Sequence, residues 1–217
     1  MIRSPIYLNS PEAEAYRSLR TTLSFSLQEP QRAVLFTSAR HSEGKSTTAC
    51  NFAVACAYSE RPVLLVDADL RSPALHDVFG LSNGVGLSTC LKAEARIPLQ
   101  EVVSPTAIPY LDLLTAGPAV SNAAELLTRP SLLDVVSASK DSYEWIILDS
   151  PPVLLVTDAT ILSRAVDGVV LLVNLRRTSL RHARKASELL RAIKAPLLGV
   201  VVNHVQAHDA PYGGYGA

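Results

Sequence analysis

Apolar runs rich in Val, Leu and Ile, recurring with helix-length stretches between them, constrain this chain more than any other feature. The runs are Ala33 to Phe36, Val63 to Val66, Leu111 to Leu114, Trp145 to Leu148, Val169 to Val173 and Leu197 to Val202. Apolar at consecutive positions, they suit strands buried on both faces. Helix-compatible stretches lie at Ser46 to Tyr58, Ala123 to Leu127, Ser131 to Ser139, Ala159 to Ala165 and Leu180 to Ile193. This alternation predicts an α/β fold, a mostly parallel sheet with helices on both faces and right-handed crossovers. With 217 residues, no internal repeat and no shift of composition, the chain is expected to form one domain around one core.

The ends differ from the middle. Ser10 to Phe25 reads as a lone helix that the core does not need, which sets residues 1–30 apart from a domain spanning 31–206. Residues 207–217 form a Gly-rich tail expected to be flexible. Twenty basic and twenty acidic side chains leave no global field to attract nucleic acid or an anionic surface. The three cysteines, Cys50, Cys56 and Cys90, have no C-x-x-C spacing, so neither a disulfide framework nor a zinc site is expected. No apolar run approaches the ~20 residues of a membrane helix, and the first 30 residues are polar, unlike a signal peptide. A cytoplasmic location is expected, with some other component holding the chain at any membrane.

After A-V-L-F-T-S comes A-R-H-S-E-G-K-S-T, Ala39 to Thr47, opening the helix that continues T-A-C-N-F-A. A strand, a Gly-Lys-Ser turn and a helix is the context of a phosphate-binding P-loop. Backbone N–H groups of Arg40, His41, Ser42, Glu43, Gly44 and Thr47, backed by the positive helix end, are expected to surround phosphate oxygens. Lys45 adds a mobile charge for the outer phosphates and Ser46 a hydroxyl for magnesium, so ATP and Mg2+ are the expected ligands. A helix start that merely happens to contain Gly, Lys and Ser is the plain alternative. The general pattern wants Gly at position 39, where Ala39 restricts the turn.

Two further runs end in acids: V-L-L-V-D-A-D-L-R, with Asp67 and Asp69, and W-I-I-L-D-S-P-P, with Asp149. Ligands of parallel sheets collect beyond the carboxyl ends of strands, so these acids and the loop are expected to converge on one crevice. There one acid would ligate the metal directly or through water, and another would accept a proton from an attacking hydroxyl. Helix capping and turn formation are the ordinary alternatives for each acid taken singly.

Together with these motifs, S-P-E-A-E-A-Y-R-S-L-R-T-T-L, F-G-L-S-N-G-V-G-L-S, L-L-T-A-G-P-A-V-S-N-A-A-E-L-L and D-S-P-P-V-L-L-V-T-D-A follow one another along the chain. In this order they resemble the bacterial tyrosine kinases of capsule and exopolysaccharide synthesis, a branch of the Min/Par-like P-loop ATPases. The resemblance implies Lys45 as the phosphate lysine, Ser46, Asp69 and Asp149 at the metal and its waters, and Asp67 as base toward a substrate tyrosine. It makes Asn203, in G-V-V-V-N, a contact to adenine, against the plain reading of a turn residue. It also implies a stand-alone cytoplasmic kinase recruited to the inner face of the plasma membrane by a chain-length regulator, a polysaccharide co-polymerase that activates it. A homo-oligomeric ring and a cognate phosphotyrosine phosphatase belong to the same picture, and nucleic acid is not an expected partner. Family loops usually read P-G-E-G-K-S; His41 and Ser42 depart from this, and a positive φ at Ser42 would cost about 1 kcal/mol or more.

Glu14, Arg17 and Arg20 form E-x-x-R-x-x-R, similar to the family's self-association motif. On a helix they fall along one side, and a Glu14–Arg17 ion pair is the alternative. Tyr212 and Tyr215 in the tail resemble substrate tyrosines. Tyr212 lies nine positions beyond Asn203, a reach of about 30 Å that permits phosphorylation between subunits, while a disordered terminus is the plain alternative. Between Arg176 and Lys194 stand seven basic residues and one acid, Glu188. A solvated helix face is the default reading, with an acidic partner, anionic lipid or DNA as alternatives. The leading expectation is an ATP-dependent protein-tyrosine kinase that autophosphorylates its tail and regulates polysaccharide synthesis and export. A Min/Par-type positioning ATPase, or a nucleotide-binding scaffold with weak kinase activity, are the alternatives.

Overall fold

The computed structural model of the chain describes residues 11–27 and 29–205. Its elements run α1 (Pro11–Ser26), β1 (Arg32–Ser38), α2 (Lys45–Ala57), β2 (Val63–Asp67), α3 (Leu75–Phe79), α4 (Leu87–Lys92), β3 (Ser104–Pro105) and β4 (Leu111–Leu114). They continue with α5 (Ala123–Leu127), α6 (Ser131–Lys140), β5 (Trp145–Asp149), α7 (Asp158–Leu162), β6 (Gly168–Asn174), α8 (Leu180–Ala192) and β7 (Leu197–Asn203). Short 3-10 turns cover Leu99–Glu101 and Ser163–Ala165.

The strands form one sheet in the order β3-β4-β2-β5-β1-β6-β7, parallel except for β3. Because the central strands carry apolar residues at consecutive positions, each feeds two cores. Ala33, Leu35, Ile146 and Leu148 pack on the face covered by α4 to α8, while Val34, Phe36, Trp145 and Ile147 pack on the face covered by α1 to α3. Phe36, Phe52 and Trp145 pack in sequence across that second face, the first pair tilted and the second edge to face, with ring centroids 5.3 Å apart in each pair. At roughly 25 cal/mol per Å2 of apolar surface removed from water, this two-sided burial is the main force holding the strand ends in place.

The two end elements depart from the sequence expectation. α1 is part of the core: Leu23 and Leu27 are buried, and Tyr16 and Leu19 pack beside them. β7 is an edge strand rather than a doubly buried one, with Val200 and Val202 about half exposed. A bulge between Val169 and Val170 shifts its register against β6. Among the described residues no helix is long and apolar enough to cross a membrane. The 207–217 segment and its tyrosines lie outside the described residues.

Candidate active site

The strand order brings β2, β5 and β1 side by side, so their carboxyl ends share one rim. Asp67 stands directly opposite Asp149 in the β2–β5 register, and Asp149 opposite Phe36 in the β1–β5 register. The loop from β1 to α2 rises over this rim. Ser42 has φ 61° and Gly44 φ 88°, both left-handed, which folds the loop back so that α2 starts at Lys45. Ser42 therefore carries the strain anticipated for a residue in place of glycine, about 1–2 kcal/mol. Ala39 does not: it is fully buried and is absent from the left-handed region, so its methyl group costs the turn nothing.

Lys45, only 8% exposed, threads under the loop into the acids. Its Nζ donates to Asp149 Oδ1 at 2.6 Å and to Ser46 Oγ at 3.2 Å, and lies 3.7 Å from Asp69 Oδ2. Burial pushes the Asp149 carboxyl up, while Lys45 and the Ser46 hydroxyl hold it back. One cation among three acids leaves a surplus of negative charge in a low-dielectric pocket, which suits a site completed by a metal ion and a polyphosphate.

Asp67 has a different environment. It is fully buried, its Oδ2 accepts from the backbone N–H groups of Ala74 and Leu75 at 3.0 Å each, and its Oδ1 accepts from Asp69 N at 3.3 Å. It thus caps the first turn of α3 from seven and eight residues away. Burial first, then the neighbouring Asp149, raise its carboxyl from 3.8 to about 7, partly offset by the two amides and by Lys45. A carboxyl that titrates near neutrality has the proton affinity of a general base, but to reach a hydroxyl it must be uncovered from α3. Asp69 Oδ1 meanwhile holds the turn below it by accepting from Ser72 N at 3.1 Å.

Two fastenings that sequence reading did not assign hold this rim in shape. Arg71, two residues beyond Asp69, makes a two-pronged ion pair with Asp158: Nε to Oδ2 at 2.8 Å and Nη2 to Oδ1 at 3.0 Å. Asp158 is fully buried at the start of α7, so the pair ties the turn after β2 to the segment after β5. Both residues stood inside recognised blocks, D-A-D-L-R and V-T-D-A, but nothing in either block says that they meet. The second fastening is Glu43, 2% exposed, whose Oε2 accepts from Arg40 N at 2.9 Å and whose Oε1 accepts from Thr178 Oγ1. Thr178 in turn accepts from Asn174 N, so the loop is laced to the end of β6.

Asn203 supports the loop from the side. Its Nδ2 donates to Glu43 O and to Thr48 Oγ1, each at 3.0 Å. With both amide protons used, only its Oδ1 remains for any contact to a base. A Cβ on Gly44 would lie 2.5 Å from Asn203 Nδ2, so a side chain there would push the Asn203 amide off the loop besides straining the positive φ. In α1, Arg17 pairs with Glu14 at 2.7 Å on the exposed side, and Arg20 donates to Ala55 O at 2.8 Å. Within the subunit, then, Glu14 and Arg17 make the intrahelical pair, and Arg20 pins α1 to α2. All three cysteines are buried, and burial raises each thiol.

Comparisons with known proteins bear on the family and the fold. The ParA family model, described as NUBPL iron-transfer P-loop NTPase, matches residues 29–211. The chain is 38% identical over 221 residues to the tyrosine-protein kinase YwqD of Bacillus subtilis (strain 168), covering 100% of this chain and 92% of YwqD. It is 33% identical over 210 residues to the putative tyrosine-protein kinase EpsB of Ralstonia nicotianae, covering 96% of this chain but 28% of EpsB. Among solved structures, the kinase domain of the Escherichia coli tyrosine kinase ETK superposes with a TM-score of 0.86 at 28% identity, over 100% of this chain and 88% of that one.

Proposed function

This chain belongs to the bacterial tyrosine-protein kinases, built on the ParA-type P-loop fold, and from that premise we propose that it transfers the γ-phosphoryl group of ATP to tyrosine hydroxyls. The observation that carries the reading is the pairing of Asp67 with Asp149 across adjacent strands, with Asp69 and Lys45 at the same rim. A nucleotide-holding loop alone needs one strand-end acid for its metal; a second acidic strand supplies a carboxyl for the acceptor.

The loop amides and Lys45 bind and orient the β- and γ-phosphates, Lys45 exchanging its bond to Asp149 for phosphate oxygen. Ser46, Asp69 and Asp149 fit a magnesium ion, being hard oxygen donors set beside the phosphate lysine. Such an ion would take the rest of its shell from phosphate and water. Magnesium, when bound, neutralises charge that develops on the transferring group. Asp67 accepts the tyrosine proton once substrate binding displaces the α3 amides from its Oδ2, and its raised proton affinity suits that task. Asn203 Oδ1 accepts from the exocyclic amine of adenine, which favours adenine over guanine.

The acceptors we propose are Tyr212 and Tyr215, reached between subunits of a homo-oligomer in which Glu14, Arg17 and Arg20 of α1 face a neighbour. Each phosphate would add nearly two negative charges to the tail and favour its release from the acidic rim. A cognate phosphatase would reverse the modification. In EpsB the matched segment is 28% of the protein; here we propose a separate membrane partner of the polysaccharide chain-length regulator type, which recruits and activates the kinase. The iron-transfer task in the family model's description finds no support in three buried cysteines. Incubation with Mg-ATP followed by phosphotyrosine detection tests the reading. Signal in the wild type that disappears in Lys45→Met is expected; phosphate release without phosphotyrosine, even with the membrane partner added, would turn the assignment to a positioning ATPase.

A further inference from the structure

α8 carries a charge asymmetry that the phosphoryl-transfer site does not use. Between residues 176 and 194 stand seven basic side chains and one acid, in a chain whose total charge is zero. All seven are exposed. Among the described residues none of them joins a salt bridge, so the patch is not neutralised within the subunit. The helix buries only Ala186 and Leu190 against the sheet. At 100° per residue the opposite side displays Arg181, Arg184, Lys185 and Arg191 together, interrupted by Glu188.

Leu180 lies on that same cationic side and is 75% exposed, and Leu175, at the entry to the helix, is 56% exposed. Ser179 caps the helix by accepting from His182 N, which fixes Leu180 at the first helical position. Large apolar side chains held out beside arginines, Leu180 on the helix and Leu175 in the turn that leads to it, match a surface that offers both anionic headgroups and an apolar layer beneath them. A nucleic-acid backbone would satisfy the arginines but give the leucines nothing. Arginine stems can lie along the interface while their guanidinium groups stay at headgroup level.

We propose that the outer face of α8 docks directly on an anionic lipid bilayer, with Leu175 and Leu180 entering the interfacial layer and Arg181, Arg184, Lys185 and Arg191 meeting the headgroups. The contact is made by this chain itself and depends neither on phosphoryl transfer nor on a protein partner.

Co-sedimentation of the full chain with vesicles tests it. Binding to vesicles of equal parts phosphatidylcholine and phosphatidylglycerol is expected, with little binding to phosphatidylcholine alone and loss on raising salt, since the attraction is screened. Each basic contact near an anionic bilayer is worth about fivefold in partition. Arg181→Gln with Arg184→Gln should therefore lower binding by roughly 25-fold. Leu180→Ser should lower binding even at low salt, where charge alone would retain it. These positions are solvent-exposed, so the variants should keep wild-type circular dichroism and nucleotide binding. Equal sedimentation with both vesicle types, or undiminished binding by the double variant, would overturn the proposal. So would binding to double-stranded DNA that is tighter than to the anionic vesicles at the same salt.

Discussion

Ser42 and Asp67 are the two residues at which the site works against the stability of the fold. Ser42 sits at φ 61° in the phosphate loop, where glycine would be at ease. Ser42→Gly should raise stability by about 0.5–1 kcal/mol, the freedom of glycine in the unfolded chain offsetting part of the relief. For a domain of this size the midpoint of thermal unfolding should rise by roughly 1–4 °C. Asp67 is raised from 3.8 to about 7 by burial and by Asp149, so the folded chain holds a proton that the unfolded chain gives up. The sign follows: the stability linked to this group is full below about pH 4 and is lost as pH climbs through about 7. In the nucleotide-free protein Asp67→Asn should therefore unfold later than wild type at pH 8, and the gap should narrow by pH 5 and close below about pH 4. The same variant should lose phosphotyrosine formation, separating what the carboxylate does for chemistry from what it costs the fold.

At the scale of elements, the site is a set of loops fastened across the sheet, and the fastenings can be cut one at a time. Arg71→Ala would leave the fully buried Asp158 carboxylate without its partner. Because Arg71 is 43% exposed, the cost should fall near the low end for broken buried pairs, about 3 kcal/mol by denaturant titration. Asn203→Ala frees the Glu43 carbonyl and Thr48 hydroxyl beside Gly44, and is expected to weaken nucleotide binding more than it lowers the unfolding midpoint. α2 carries Cys50 and Cys56 on its inner side; with burial raising both thiols, alkylation at pH 8 should be slow in the native chain and fast in denaturant.

These elements were unevenly legible in the sequence. α2 and the central strands were, because their apolar runs report burial directly. α3 was not, because its cap is Asp67, seven residues upstream, outside the window of any local capping rule. β3 was missed as well: it is two residues long and contains Pro105, and its pairing depends wholly on β4. The edge position of β7 was equally hidden, since a Val-rich run has the same composition whether it lies in the middle of a sheet or at its border.

Taken whole, the molecule is a mostly parallel sheet whose strand ends and P-loop bring one lysine and three acids to a shared rim, with a cationic helix on its flank. The P-loop, Asp67, Asp69 and Asp149 could be read from residues alone because the chemistry of each sits at a strand end, where the chain pattern is strongest. What they would meet could not: Glu43 with Thr178, Arg71 with Asp158 and Asn203 with the loop are contacts between segments far apart in the chain. The central claim is that the phosphoryl group goes to tyrosine rather than to water. It is tested most directly by mass spectrometry of the purified protein after incubation with Mg-ATP, beside Lys45→Met. The account predicts phosphate-mass increments on Tyr212 and Tyr215 in the wild type and none in the variant; inorganic phosphate released with no increment on any tyrosine, in the presence of the membrane partner, would contradict it.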